Sequence, residues 1–227
     1  LEMQVSRHRD IRSSIAAVLV FGTWGAIAAA RGRAQVPEFA DKAKYPEPQG
    51  KQTAVLAGGC FWGIDAVYKH VKGVKSSEAG YSGGTAATAT YEQVSSGSTG
   101  HAESVKIVYD PSQVSYSTLL RIFFSVAHNP TQLNYQGPDH GTQYRSVIFY
   151  TNDVQKRIAL AYIAQLNAAK VFPSPIVTQV VPLKAFYRAE DYHQNYLALH
   201  PTNPYCVVND FPKIRNLLKE FPDIYKR

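Results

Sequence analysis

With 227 residues, 45% of them hydrophobic and 18% charged, the chain is a globular protein of one large domain or one domain with an appendage, and is neither disordered nor collagen-like. Two cysteines, Cys60 and Cys206, are too few for a disulfide framework or a four-thiolate zinc site. The net charge of +7 invites a nucleic-acid reading, but the first 34 residues hold five arginines against two acids, and the body carries 19 basic against 15 acidic groups with no Lys/Arg run, which sets that reading aside.

Residues 4–14 are basic and residues 15–30 form an uncharged apolar run shorter than the ~20 residues that span a bilayer, followed by small residues suited to cleavage. Residues 1–34 therefore read as an export signal, with an uncleaved membrane anchor as the alternative and Leu1-Glu2 ahead of Met3 as cloning residues. A periplasmic or secreted location is expected, where a thiol pair can exist oxidised. Residues 35–51, rich in Pro and charge, read as a linker or extended arm, and residues 52–227 as the folded domain.

Thr53–Ala57 is a short apolar run that predicts a buried strand. Phe61, Ile64, Val67, Tyr68 and Val71 then fall on one helical face, so the chain turns from strand to helix at Gly58-Gly59-Cys60. A strand at 75–79 leads into a Gly/Thr-rich loop at 82–90, and 102–109 alternates as a second strand. A helix is predicted at 116–127, an irregular loop at 129–142, a strand at 144–150 and an amphipathic helix at 152–170 capped by Asn152 or Asp153. A strand at 176–181 and helices at 191–199 and 212–219 complete the chain. Irregular interleaving without an internal repeat predicts an α+β fold, a two-layer α/β sandwich around a mixed sheet.

Cys60 stands at a helix N-terminus, whose free amides and macrodipole favour the thiolate. The glycines around it let a ligand approach, and Phe61 and Trp62 supply an aromatic wall for a small apolar group. The competing reading of Cys60 as a buried small hydrophobe is weakened by Gly58, Gly59 and Gly63.

Gly-Cys-Phe-Trp-Gly at 59–63 resembles the signature of the A-class peptide methionine sulfoxide reductases. The resemblance extends in order through Gly80-Tyr81-Ser82-Gly83-Gly84, Gly100-His101-Ala102-Glu103, Asp139-His140-Gly141-Thr142-Gln143-Tyr144-Arg145-Ser146 and Ala189-Glu190-Asp191-Tyr192-His193-Gln194, covering about residues 51–200. It implies a ferredoxin-like sandwich and reduction of methionine S-sulfoxide, free or in proteins. Under it Cys60 is the nucleophile, Glu103 the acid that protonates the sulfoxide oxygen, Tyr81 and Tyr144 the hydroxyl donors to that oxygen, Phe61 and Trp62 the cradle of the methyl group, and Asp139 a positioning acid.

The chemistry fits this inventory, because a sulfoxide oxygen leaves poorly until protonated and attack at its sulfur needs a thiolate. Glu103 can stay protonated near neutral pH only if burial raises its pKa. Attack leaves Cys60 as a sulfenic acid, and Cys206 in Pro204-Tyr205-Cys206 is the available thiol to condense with it, from a tail segment read as flexible. The resemblance implies no bound cofactor, an external thioredoxin-like dithiol reductant, and a monomer. Glu190, Asp191 and His193 are read as organising the pocket edge or as a solvated helix end, and the seven histidines show no metal-ligand spacing. Two alternatives are a Cys/His hydrolase with His101 or His193 as base, and a secreted non-enzymatic domain with Cys60 and Cys206 in a fixed disulfide.

Overall fold

Strand β1 (Gln52–Ala57) alternates its side chains between two hydrophobic clusters, Ala54 and Leu56 on one face and Val55 and Ala57 on the other. The computed structural model describes residues 35–227, so the expected leader at 1–34 lies outside the described residues. After β1 the chain enters helix α1 (Phe61–Lys69), returns along β2 (Val74–Ser82), and crosses a short helix α2 (Tyr91–Val94) into β3 (Ala102–Tyr109). Helix α3 (Tyr116–Ile122), ending in a π-turn at Phe123–Ala127, leads through a small hairpin, β4 (Tyr135–Gln136) and β5 (Asp139–His140), to β6 (Val147–Tyr150). Helix α4 (Asp153–Ala168), β7 (Gln179–Pro182), β8 (Tyr187–Arg188), α5 (Tyr196–Leu199), α6 (Pro204–Asn209) and α7 (Phe211–Glu220) follow.

The main sheet has the order β7-β6-β1-β3-β2-β8, antiparallel except for the parallel β6–β7 pair. Its inner four strands, β6-β1-β3-β2, with α1 between β1 and β2 and α3 between β3 and β6, are a ferredoxin-like α/β sandwich, as expected. Residues of α1, α3 and α4 share the main core with the helix-facing side chains of β1 and β3, such as Leu56, Val105 and Ile107. The opposite face is covered by Val181, Leu183 and Phe186 instead of helices. Asn152 caps α4 by accepting from the Gln155 N–H at 2.9 Å, and Ser115 caps α3 by accepting from Thr118 at 3.1 Å, each worth about 1 kcal/mol.

Several elements depart from the sequence expectation. Strand β2 runs on through Tyr81 and Ser82, because Gly80 and Tyr81 pair with both β3 and the short β8. The helix expected at 191–199 is broken into a 3-10 turn at Asp191–His193 and α5, with Asn195 left-handed at φ 55° between them. Gln194 explains the break: its amide accepts from Ala79 N–H at 3.1 Å and donates to Ala79 O at 3.0 Å, filling a backbone pairing position on β2. Residues 35–51 lie as an arm against α3 and α4, with Val36 and Phe39 buried, Arg121 Nε donating to Val36 O and Tyr162 Oη donating to Pro37 O. Among the described residues no helix is long and apolar enough to cross a membrane.

Candidate active site

The turn from β1 to α1 is shaped by glycine. Gly59 has φ 100°, and a Cβ there would come within 2.5 Å of Gln136, so the glycine lets the β4–β5 hairpin close over Cys60. Cys60 is the N-cap of α1, with 8% of its surface exposed. Opposite it on β3, Glu103 is 3% exposed and its Oε2 accepts the N–H of Phe61, the first residue of α1, at 3.0 Å. The motif thus joins nucleophile and acid through one backbone amide.

Electrostatics at the pair run as expected for the acid and against expectation for the thiol. Burial pushes the Glu103 carboxyl up to about 8, with the Phe61 N–H opposing and Asp139 and Asp210 adding to the rise. Burial also holds the Cys60 thiol well above its ordinary value, aided by Glu103 and Asp210. The Trp62 amide at the helix N-terminus and the Lys213 ammonium favour the thiolate, as the sequence argument requires, but burial outweighs them. The resting site therefore holds a thiol beside a protonated carboxylic acid at neutral pH.

The aromatic wall is held by a ring stack and a hydrogen bond. Trp62 stacks on Tyr196 with ring centroids 3.6 Å apart, and its Nε1–H donates to His193 Nδ1 at 3.0 Å. Indole can only donate, so His193 Nδ1 is an acceptor and the proton of the neutral imidazole sits on Nε2. Burial holds His193 below the usual imidazole range, which keeps it neutral. Phe61 packs 5.0 Å from His193 and 5.8 Å from Tyr81.

Tyr144, half-buried at the end of a 3-10 turn, has its hydroxyl raised above the ordinary phenol range by burial first and then by the neighbouring Glu103, Asp139 and Cys60. Tyr81, expected to donate to the sulfoxide oxygen, instead donates its single hydroxyl proton to Glu190 Oε2 at 2.8 Å in this structure. The second hydroxyl at the pocket belongs instead to Tyr91, raised by burial and then by Glu103, with Cys60 also contributing. Glu190 holds both tyrosines, accepting the Tyr91 N–H at 2.9 Å on its other oxygen. Asp191 lies outside this arrangement, exposed and paired with Arg188.

Asp139 accepts a hydrogen bond from Tyr205 Oη, which ties the β4–β5 hairpin to α6. Cys206 is not on a flexible tail: it is fully buried in α6 against Ala66 and Leu197, because Asn203 caps the helix by accepting from Tyr205 and Cys206. Both cysteines are free, so the fixed disulfide of the non-enzymatic reading is not what the structure holds. The hydrolase reading fails on geometry, since the His101 ring is engaged by Gly84 N–H and Thr85 O and His193 by Trp62. Among the described residues no cluster of His, Cys, Asp or Glu could hold a metal ion.

Beneath α1 lies Asp210, fully buried and ion-paired with Lys213 at 3.1 Å. The pair packs against Gly63 in the first turn of α1, and its field reaches both thiols.

The family profile described as peptide methionine sulfoxide reductase matches residues 52–223. The chain is 60% identical over 176 residues to the peptide methionine sulfoxide reductase MsrA 2 of Mesorhizobium japonicum, covering 78% of this chain and 90% of that one. It is 54% identical to the like-named protein of Synechocystis, covering 78% and 83%. Among solved structures, the reduced form of Mxr1 from Saccharomyces cerevisiae superposes with a TM-score of 0.61 at 32% identity, over 69% of this chain and 90% of that one. Methionine sulfoxide reductase A of Corynebacterium diphtheriae gives 0.59 at 35% identity, over 70% and 79%. The chain belongs to the peptide methionine sulfoxide reductase family.

Proposed function

We propose that this reductase acts on methionine S-sulfoxide through Cys60, with Glu103 as the proton donor. The observation that carries this is the buried Glu103 carboxyl on the Phe61 N–H, a protonated acid beside a thiol at the mouth of an aromatic wall. Glu103 gives its proton to the sulfoxide oxygen and takes the proton of Cys60, so the thiolate forms only as the sulfur is attacked. Tyr91 and Tyr144 donate to the oxygen as charge shifts, and Phe61 and Trp62 hold the methyl group. The step yields methionine and Cys60 sulfenic acid, the oxygen passing from substrate sulfur to Cys60 sulfur.

Cys206 then condenses with the sulfenic acid, releasing water, and an external dithiol of thioredoxin-like chemistry reduces the resulting disulfide. Cys206 packs against Ala66, within α1, while Cys60 caps its start, so the bridge would join α6 to the beginning of α1. Export by the leader at 1–34 and repair of oxidised proteins outside the cytosol complete the reading; the charge and apolar pattern of those residues supports it.

Incubation of the reduced protein with methyl p-tolyl sulfoxide and dithiothreitol tests the chemistry. The S epimer is consumed by the parent and not by Cys60→Ser. Consumption that survives in Cys60→Ser, or that strips both epimers equally, overturns the assignment.

A further inference from the structure

Asp210 has a place in the fold that the steps above do not use. It is fully buried, it stands one helical turn after Cys206, and its N–H donates to Cys206 O at 2.9 Å. One carboxylate oxygen, Oδ1, is held by Lys213 Nζ at 3.1 Å. The other, Oδ2, is buried without a hydrogen-bond partner, and Asp210 and the Cys206 thiol are close enough that each shifts the other's titration. An ion pair buried for stability alone gains little over apolar side chains of the same volume. This one acts electrostatically on both thiols of the chain and lies against the first turn of α1, the helix that Cys60 caps.

From this geometry we infer that Asp210 is the base for the recycling step, taking the Cys206 proton as Cys206 closes on oxidised Cys60. The inference rests on the reading of Cys206 as the recycling thiol. The Cys206 S–H bond breaks and its proton goes to the Asp210 carboxylate. The Cys206 sulfur attacks the Cys60 sulfenic sulfur, the S–S bond forms and the Cys60 S–O bond breaks. The departing hydroxide takes the proton back from Asp210 and leaves as water. The Cys206 sulfur is oxidised and the Cys60 sulfur reduced, both ending at the disulfide level with no external reagent.

The charges around Asp210 are arranged for this. Burial raises its carboxyl above the usual carboxylate range, while Lys213 and Cys206 draw it down and Asp139 pushes it up. Cys60 and Glu103 face it from the start of α1 and from β3. Burial and the Asp210 carboxylate push the Cys206 thiol up to about 11, so at neutral pH this thiol needs a local base to react. Lys213 is a positioning residue that keeps Asp210 ionised and aimed.

The experiment uses the fully reduced chain, excess methionine sulfoxide, no reductant, and quenching at timed intervals with dimedone followed by a thiol alkylator. Released methionine reads the first step, the dimedone adduct on Cys60 reads sulfenic acid, and peptide mapping reads the 60–206 disulfide. In Asp210→Asn, disulfide formation falls about 10²-fold, the size a general base contributes, and sulfenic acid accumulates while methionine release falls far less. The residual rate climbs about tenfold per pH unit from 6 to 8, because hydroxide must now take the proton.

Loss of packing alone would slow both steps together and leave the pH profile unchanged, and that result overturns the inference. Should Asp210→Asn not fold, the double variant Asp210→Asn with Lys213→Met, which removes both buried charges, is read for the same split. Disulfide formation at the parent's rate in either folded variant overturns the role of Asp210 and leaves Cys206 in place. Methionine released by the parent with no 60–206 disulfide overturns both.

Discussion

Gly63 and Asp210 meet where only glycine fits: a Cβ on Gly63 would lie 2.1 Å from Asp210 Oδ1 and 2.7 Å from Lys213 Nζ. The last glycine of the Gly-Cys-Phe-Trp-Gly segment thus makes room for a buried ion pair from the other end of the chain. Gly63→Ala is expected to lose about 1–3 kcal/mol by overpacking. The cost in Gly63→Ala with Asp210→Ala should be smaller than the sum of the single changes. Urea unfolding of the four proteins of this cycle gives the coupling, and additivity would show that the two residues do not press on one another.

Glu103→Gln keeps an acceptor for the Phe61 N–H but removes the proton donor, so the single-turnover rate should fall about 10²–10⁴-fold. In the parent, that rate declines as pH rises through about 8, where the carboxyl loses its proton, and the variant lacks this limb. The folded pKa lies above that of an unfolded carboxyl, so the folded state holds the proton more tightly. Stability therefore falls as pH rises from the ordinary carboxyl range to about 8. Thermal unfolding should accordingly show Glu103→Gln gaining on the parent at pH 9 relative to pH 4.

The two tyrosines on Glu190 separate by function. Tyr91→Phe removes a hydroxyl from the pocket and should lower kcat by about 10²-fold if it is the dominant donor. Tyr81→Phe leaves Glu190 one hydrogen bond short and should cost about 1 kcal/mol of stability with a much smaller rate effect. Steady-state kinetics beside urea titration distinguishes the two; equal losses of kcat would return Tyr81 to the pocket.

Strands β1 and β3 and helix α4 were legible in the sequence because their apolar periodicity is long and their ends carry turn or capping residues such as Asn152 and Asp110. Helix α6 was not, because it spans only six residues and turns Val207 and Val208 outward, leaving no apolar stripe to read. Cys60, Glu103 and Tyr144 stood out through motifs, whereas Tyr91 lies on a four-residue helix within a Gly/Thr/Ser-rich stretch. An aromatic side chain isolated in that polar stretch was the signal available. Asp210 was invisible for another reason: a lone helical Asp reads as solvated, and its partners Gly63 and Cys206 meet it only in the folded chain.

Cys206→Ser should release methionine in the first turnover as the parent does and lose turnover driven by a protein dithiol. Dithiothreitol, small enough to reach the Cys60 sulfenic acid directly, should still support it. Equal turnover of parent and variant with a thioredoxin-like donor would remove Cys206 from the cycle.

Phe39 anchors the 35–51 arm, buried against Tyr162 with ring centroids 5.5 Å apart. Phe39→Ala should cost about 3 kcal/mol, within the range for truncating a buried aromatic. The rate per folded molecule should not change, since the rings Phe39 packs on, Tyr45 and Tyr162, are not among the residues assigned to the reaction. A urea midpoint equal to the parent's would show that the arm does not hold the body.

Trp62, the proposed wall for the substrate methyl group, is itself backed by the C-terminal segment, stacked on Tyr196 and edge-on to Tyr205 at 6.0 Å. Any swing of α6 that carries its sulfur to its target pulls Tyr205 off the indole and off Asp139 in one motion. The wall for the methyl group would then stay whole while the sulfoxide is reduced and come apart only as the disulfide closes, so the oxidised enzyme would hold a fresh sulfoxide less firmly than the reduced one.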